Sequence, residues 1–389
     1  MDTALAETLA GWRRHLHAHP GLTLHEGPTA AFVVERLREL GVTDIETGIG
    51  GHGVVATIQR PPGRGDAGGS RAIGLRADMD ALPVQELNPL LEHRSTVPGV
   101  MHACGHDGHT TALLGAAALL LSDASWSGTV RLVFQPAEEG GGGARAMIAD
   151  GLFRRFPMER IFGWHNWPGL PAGTVAVHDG AVMAAGARFE IAFEGHAGHA
   201  ALPHLTRDPM LGAGHCIVAL QGVVARNLDP LESGVISVTV AEAGEATNQV
   251  PRRAVLKGTA RWLSEPTGAL LEAGMRRVAG GIAAAWALET TVEFRRGVPV
   301  TANHPAEREI AAAAAGAVTE MRRDLPPAMT GEDFSWFLAE VPGAFVWIGN
   351  GPAEDGRELH SPHYDFNDTI LPVASRYLVE VAKRALAGG

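Results

Sequence analysis

The feature that most constrains this chain is a change of rhythm in its secondary-structure signals. Up to about residue 185, strand-like runs bounded by Gly or Pro alternate with helical patterns. Helices are predicted over 3–17, 28–40 and 108–121, and strands over 54–59, 72–76, 129–136, 161–166 and 173–178. Such alternation predicts a mostly parallel sheet covered on both faces. From Gly186 the order becomes strand (187–194), helix (208–227), strands (234–241 and 253–263), helix (266–286) and strand (290–296). That β-α-β-β-α-β order is a ferredoxin-like unit able to fold by itself. Segments 307–320, 333–340, 345–348 and 372–386 then return to the first pattern. The reading is an α/β fold in which a discontinuous domain, 1–185 and 297–389, is interrupted by an inserted domain, 186–296. The Gly/Pro-rich stretch 61–70 is expected to be a surface hairpin loop.

Composition narrows the function classes. At 46% hydrophobic and 19% charged, the chain is too apolar for disorder. Its longest apolar run, 112–121, is well short of the ~18 residues of a membrane span, so no membrane association is expected. A net charge of −11 argues against nucleic acid as partner. Two cysteines exclude a disulfide framework and suit a reducing compartment. With no apolar leader at the N-terminus, the expected location is cytoplasmic.

The count that stands out is 18 histidines, twelve of them in four windows: 15–25, 102–109, 196–204 and 360–363. Histidines interleaved with Gly, Cys, Asp and Glu have the look of a metal or acid–base site spread along a chain. In MHACGHDGH (101–109), Cys104 and His106 are two apart at a loop-to-helix junction, and thiolate with imidazole suits a divalent transition metal. Cys216, inside an apolar helix, reads as core. In FQPAEEGGGG (134–143), adjacent Glu138 and Glu139 point different ways, so one can ligate a metal while the other acts as base. His165 in GWHNWP and His360 in HSPHYDFN complete five N, S and O donors, enough for one or two ions.

With RRHLHAHP, LRADMDALPVQE, HNWPG, GHAALPH and HSPHYDFND, these strings resemble peptidase family M20, the aminoacylase/carboxypeptidase-type dinuclear metallopeptidases. The likeness is to the amidohydrolase branch: hippurate hydrolases, N-acyl-amino-acid aminoacylases and auxin-conjugate hydrolases. It implies a metallopeptidase-type catalytic domain, with the insert as lid and dimerisation domain. It implies Cys104, His106, Glu139, His165 and His360 as ligands of paired Mn²⁺ or Zn²⁺, with Co²⁺ or Ni²⁺ also usable. Glu138 would be the general base, and His199 of the lid would polarise the scissile carbonyl, commonly from a neighbouring subunit. Asn248 and Arg261 stand where relatives bind the substrate, and Asp80 and Asp107 would support the ligands. His17, His102, His109, His204 and His363 match or border motif positions and would join that support. Gly21 departs from the usual Glu of HPEL, and Gln249 from the usual Val.

The resemblance therefore implies a metal-dependent amidohydrolase that cleaves small N-acyl amino acids into a carboxylate and a free amino acid, working as a homodimer or larger homo-oligomer. The alternatives are a small dipeptidase, a deacetylase of N-acetylated diamino acids or, from another class, a non-catalytic amino-acid-binding protein. A binder has no need of Glu138 and a full ligand set. A structural zinc site would need more thiolates than one.

Overall fold

The structure is a computed structural model that describes residues 3–61 and 71–388. Beyond Pro61, the loop expected at 61–70 lies outside the described residues. The chain packs as two compact units, one of Met1–Val182, Ala302–Pro326 and Asp333–Gly389, the other of Met183–Thr301 and Pro327–Glu332. The short segment Pro327–Glu332 packs with the smaller unit through the Ala184 N–H, which donates to Ala328 and Thr330 carbonyls at 3.0 and 2.9 Å.

In chain order the elements are α1 (Thr3–Ala18), α2 (Gly27–Glu39), β1 (Asp44–Ile49), β2 (Gly53–Arg60), β3 (Ala72–Asp78), α3 (His106–Ser122), β4 (Gly128–Gln135), α4 (Gly143–Ala149), α5 (Leu152–Arg155), β5 (Arg160–Pro168), β6 (Val175–Ala176) and β7 (Ala181–Met183). The inserted stretch holds β8 (Ala185–Glu194), β9 (Gly198–His199), α6 (Pro209–Asn227), β10 (Gly234–Ala243), β11 (Gln249–Val250), β12 (Arg253–Trp262), α7 (Glu265–Ala285) and β13 (Glu289–Arg296). The chain closes with β14 (Thr301–Ala302), α8 (Pro305–Val318), β15 (Met321–Arg322), α9 (Ser335–Glu340), β16 (Gly343–Gly351) and α10 (Leu371–Ala387).

The large sheet runs β1-β2-β4-β3-β5-β16-β6-β15. Its centre, β4-β3-β5-β16, is parallel, whereas β1 and β2 add antiparallel strands at one edge. The parallel strands are buried almost throughout, as both-face coverage requires. Helix α3 explains the long apolar run: its residues 106–117 are all buried, so no face of it meets solvent there. Gly108 lies flat against the Phe366 ring, and a Cβ at Gly115 would sit 2.8 Å from Leu9 Cδ1 of α1. Because β3, β4, β5 and β16 run the same way, the loops leaving their carboxyl ends converge, the usual place for a ligand in an open α/β sheet.

Some expectations need correcting. The edge strand β1 has no sequence signal: its DIETGI is mostly exposed and offers no apolar alternation. The strand expected at 173–178 pairs only over Val175–Ala176. The helix expected from 333 begins at Ser335, after a turn closed by the Trp336 N–H on the Asp333 carbonyl.

The inserted unit has a four-stranded antiparallel sheet, β10-β12-β8-β13. Its core gathers Phe189, Ile191, Phe193, Leu256 and Trp262 of the sheet with Leu220, Leu271 and Met275 of α6 and α7. Cys216 is wholly buried there, and burial pushes its thiol up to about 11. Asp208 caps α6 through the Met210 and Leu211 N–H groups, and Ser264 caps α7 through Thr267.

Candidate metal centre

Each site segment leaves the carboxyl end of a parallel strand or begins the helix that follows. Asp78 ends β3 and Asp80 lies just beyond it. Gly105, left-handed at φ 89°, starts α3 and fits beneath Asn166 and Tyr364, where a side chain would not. Glu138 and Glu139 follow β4, His165 lies on β5, and His360 follows β16 at a left-handed φ of 66°.

Hydrogen bonds decide which atoms remain free. His106 Nδ1 sits 2.9 Å from the Asp80 carbonyl and 3.2 Å from Asp80 Oδ1, so it carries the proton and Nε2 is left as a lone pair. His165 Nδ1 donates to the Asn166 carbonyl at 2.6 Å, turning its Nε2 to within 3.4 Å of Cys104 Sγ. His106 Nε2 and Glu139 Oε1 are buried without hydrogen-bond partners among the described residues. The Glu139 oxygen lies 4.0 Å from His106 Nε2 and 3.2 Å from His360 Nε2. Donor atoms fall within 4.8 Å of one another in three overlapping sets: Cys104–His106–His165, Cys104–Glu139–His360, and His106–Glu138–Glu139.

This donor set fits a divalent cation. Buried polar atoms normally find partners, yet here an imidazole nitrogen and a carboxylate oxygen face one space without one. The charge balance points the same way. Burial, then the Glu139 and Glu138 carboxylates, hold the Cys104 thiol well above its ordinary range. Burial lowers His106, but Asp78, Asp80 and Glu139 more than reverse it, to about 10. A cation relieves both conflicts.

His109 is different. Its Nδ1 lies 2.7 Å from Asp78 Oδ1 and its Nε2 accepts the Asn166 N–H at 2.9 Å, so neither nitrogen is free to ligate. Of the grouping Asp78–His106–His109, only His106 keeps an open nitrogen. Asn166 donates to the Cys104 carbonyl at 2.7 Å and accepts from the Tyr364 hydroxyl at 2.8 Å, fixing the Cys104 backbone.

Beneath the centre, Arg76 is wholly buried between Asp78, at 2.7 Å, and Asp333, at 3.3 Å. The Asp333 carboxylate also takes Gln135 Nε2 at 2.7 Å and the Ala144 N–H at 3.0 Å, thereby joining both ends of the loop that bears Glu138 and Glu139. The Asp333 N–H in turn donates to Glu138 Oε1 at 3.2 Å. Asp80 Oδ2 accepts the Glu139 N–H at 3.0 Å and the Thr23 hydroxyl at 2.7 Å.

The other sequence-selected residues are placed as follows. Asp107 faces α1, with His17 Nδ1 at 2.9 Å and Arg13 at 3.7 Å. His102 is buried, and burial depresses it to about 4. His204 and His363 are exposed. In the inserted unit, His199 is exposed on β9, opposite Gln249, and its Nδ1 accepts the Ala201 N–H at 3.1 Å. Asn248 is exposed, and its carbonyl accepts the Ala200 N–H. Arg261, half-buried on β12, packs over Gly186 and Gly331. Sequence reasoning passed over Arg76, Gln135, Asn166 and Glu26. For Arg76, Gln135 and Asn166 the available signal was a charged or amide residue inside an otherwise apolar strand, since such groups are buried only when paired; Glu26, ahead of α2, carried no such signal.

A family model described as Peptidase family M20/M25/M40 matches residues 74–384. N-acetyl-L-cysteine deacetylase of Bacillus subtilis is 39% identical, covering 99% of this chain and 89% of that protein. Hippurate hydrolase of Campylobacter jejuni is also 39% identical, with 96% and 95% covered. Among solved structures, the Bacillus subtilis YXEP protein, described as a dinuclear metal binding peptidase from the M20 family, is similar at a TM-score of 0.88 and 34% identity, with both chains fully covered. With a family match over most of its length and relatives this similar end to end, the chain belongs to the M20/M25/M40 peptidase family.

Proposed function

We propose that this protein is a metal-dependent amidohydrolase of N-acyl amino acids, in which Cys104, His106, Glu139, His165 and His360 hold a pair of divalent ions and Glu138 is the general base. The observation that carries the reading is the pair of buried atoms without a hydrogen bond among the described residues, His106 Nε2 and Glu139 Oε1, gathered with the Cys104 thiol and the Nε2 atoms of His165 and His360. Relatives named for N-acetylcysteine and hippurate support the substrate class. Mn²⁺ or Zn²⁺ suits this mixed thiolate, imidazole and carboxylate set, with Co²⁺ or Ni²⁺ as substitutes.

When bound, the ions supply Lewis acidity, which makes water a stronger acid and polarises the amide carbonyl. Glu138 accepts the proton of the attacking water and returns it to the leaving nitrogen. The Asp333 N–H on its Oε1 holds the carboxylate in one orientation for both transfers. His199, whose Nδ1 is taken by the Ala201 N–H, has Nε2 left to donate to the oxyanion, and we assign it that role, from a partner subunit. Arg261 and, separately, Asn248 are assigned to substrate binding, Arg261 to the substrate carboxylate. Exposed Leu205, Val218 and Leu231 on the inserted unit suit a homodimer or larger assembly. No helix among the described residues is long and apolar enough to cross a membrane, and a cytoplasmic setting suits a thiol ligand.

The test is hydrolysis of a panel of N-acetyl and N-benzoyl amino acids, with dipeptides alongside, by protein loaded with Mn²⁺ or Zn²⁺. Glu138→Gln is expected to keep its metal and lose about 10²–10⁴-fold in kcat. Full activity in that variant removes Glu138 from the role.

A further inference from the structure

Glu26, wholly buried at the start of α2, has no part in the ligand set or in the proton transfers. Its carboxylate makes no side-chain bond to its own helix N-terminus. Instead Oε1 accepts two backbone N–H groups, Leu24 at 2.8 Å and Ala137 at 2.9 Å, while Oε2 has no hydrogen-bond partner among the described residues. Both donors are strained. Leu24 (φ 69°) and Ala137 (φ 52°) are two of four non-glycine residues with positive φ among those described. Residues with a Cβ hold that conformation only when their surroundings impose it. Ala137 immediately precedes Glu138 and Glu139. Were it to relax to a right-handed conformation, the backbone carrying both carboxylates would swing away.

We propose that Glu26 is a positioning residue for the hydrolytic site, holding Ala137 left-handed so that Glu138 and Glu139 are aimed together. The proposal rests on the roles assigned above to those two carboxylates. Glu26 is one of three buried carboxylates that each take an N–H of this loop: Glu26 takes Ala137, Asp80 takes Glu139 and Asp333 takes Ala144. Of the three, only Glu26 holds a residue whose backbone is strained. Gly21 lets it reach the loop, because a Cβ at 21 would lie 2.9 Å from Glu26 Cα. Burial also holds the Glu26 carboxyl above its ordinary range, which makes glutamine a close stand-in with the same acceptor oxygen.

The experiment pairs steady-state kinetics with Zn²⁺ affinity, read by competition with a chromogenic chelator. Glu26→Leu removes the acceptor and is expected to lower kcat about tenfold or more, with KM within about twofold, and to weaken Zn²⁺ about tenfold through Glu139. Glu26→Gln should stay within about threefold of wild type on both. The decisive arm is a second substitution in the Glu26→Leu protein. Ala137→Gly adopts positive φ without strain and should restore most of both losses, whereas Leu24→Gly should restore neither. Unchanged kcat and Zn²⁺ affinity in Glu26→Leu overturns the proposal, as does rescue by Leu24→Gly in place of Ala137→Gly. If Glu26→Leu does not fold, Glu26→Asp, which withdraws the acceptor but keeps the charge, carries the same expectations. A wild-type protein that hydrolyses no N-acyl amino acid refutes the functional reading alone, since the Zn²⁺ arms still decide the role of Glu26.

Discussion

At the scale of single residues, the centre depends on which nitrogen of each histidine carries its proton. Asp80 sets this for His106, because both its carbonyl and its carboxylate lie on Nδ1 and leave Nε2 to point at Glu139 and Cys104. Asp78 does the opposite for His109, occupying Nδ1 while the Asn166 N–H occupies Nε2. Two histidines three residues apart on α3 are thereby given different uses, a distinction invisible in the string CGHDGH. Asp80→Ala is expected to weaken metal binding by about 10- to 100-fold, as loss of a carboxylate behind a ligating histidine does elsewhere. Metal titration of the variant checks this, and wild-type affinity would show that the backbone carbonyl at 80 suffices to hold His106. Cys104 and Cys216 were separable from sequence, because one lies among Gly and His and the other inside an apolar helix. The role of Asp107 was not, since its partners His17 and Arg13 lie on α1, some ninety residues away.

At the scale of elements, α3 and the loop after β4 do most of the positioning. Helix α3 can begin directly under the site only because Gly105 is left-handed and Gly108 is flat against Phe366. Gly108→Ala forces a methyl into that ring and is expected to cost about 1–3 kcal/mol. Urea unfolding of the metal-loaded protein measures it, and an unchanged midpoint would mean that Phe366 moves aside at no cost. The Gly run after Glu139 was legible as a tight turn. Its anchoring to Asp333 was not, because that residue is nearly two hundred positions away and arrives beside the loop only when the sheet is assembled. Edge strand β1 was illegible for a related reason: its pairing with β2, and no apolar pattern of its own, makes it a strand.

At the scale of the whole molecule, a buried polar seam ties α1 to the rest of the larger unit. His17 bridges Asp107 and Glu86, and Arg13 joins Asp107, Asp365 and Asp368. Burial lowers His17, but its bonds to Asp107 and Glu86 more than reverse this, to about 9. A histidine whose pKa is raised on folding stabilises fully below its unfolded value near 6.5 and loses that contribution as pH rises through about 9. Wild type should therefore exceed His17→Gln in stability most at about pH 6, with a gap that narrows between pH 6.5 and 9. Chemical denaturation across that range checks it, and a gap independent of pH would assign the difference to packing.

The α/β class, the β-α-β-β-α-β order of the insert and the segments whose His, Cys and Glu side chains meet were legible in the sequence alone, because periodicity, Gly and Pro punctuation and His–Cys–Glu clustering are local signals. Tertiary structure alone decided which atoms face one another: the free Nε2 of His106, the clamp of Asp333 and the strained Ala137 under Glu26. Those depend on buried carboxylates meeting amides and imidazoles far away in sequence, and burial makes each such pairing obligatory once the strands are in register.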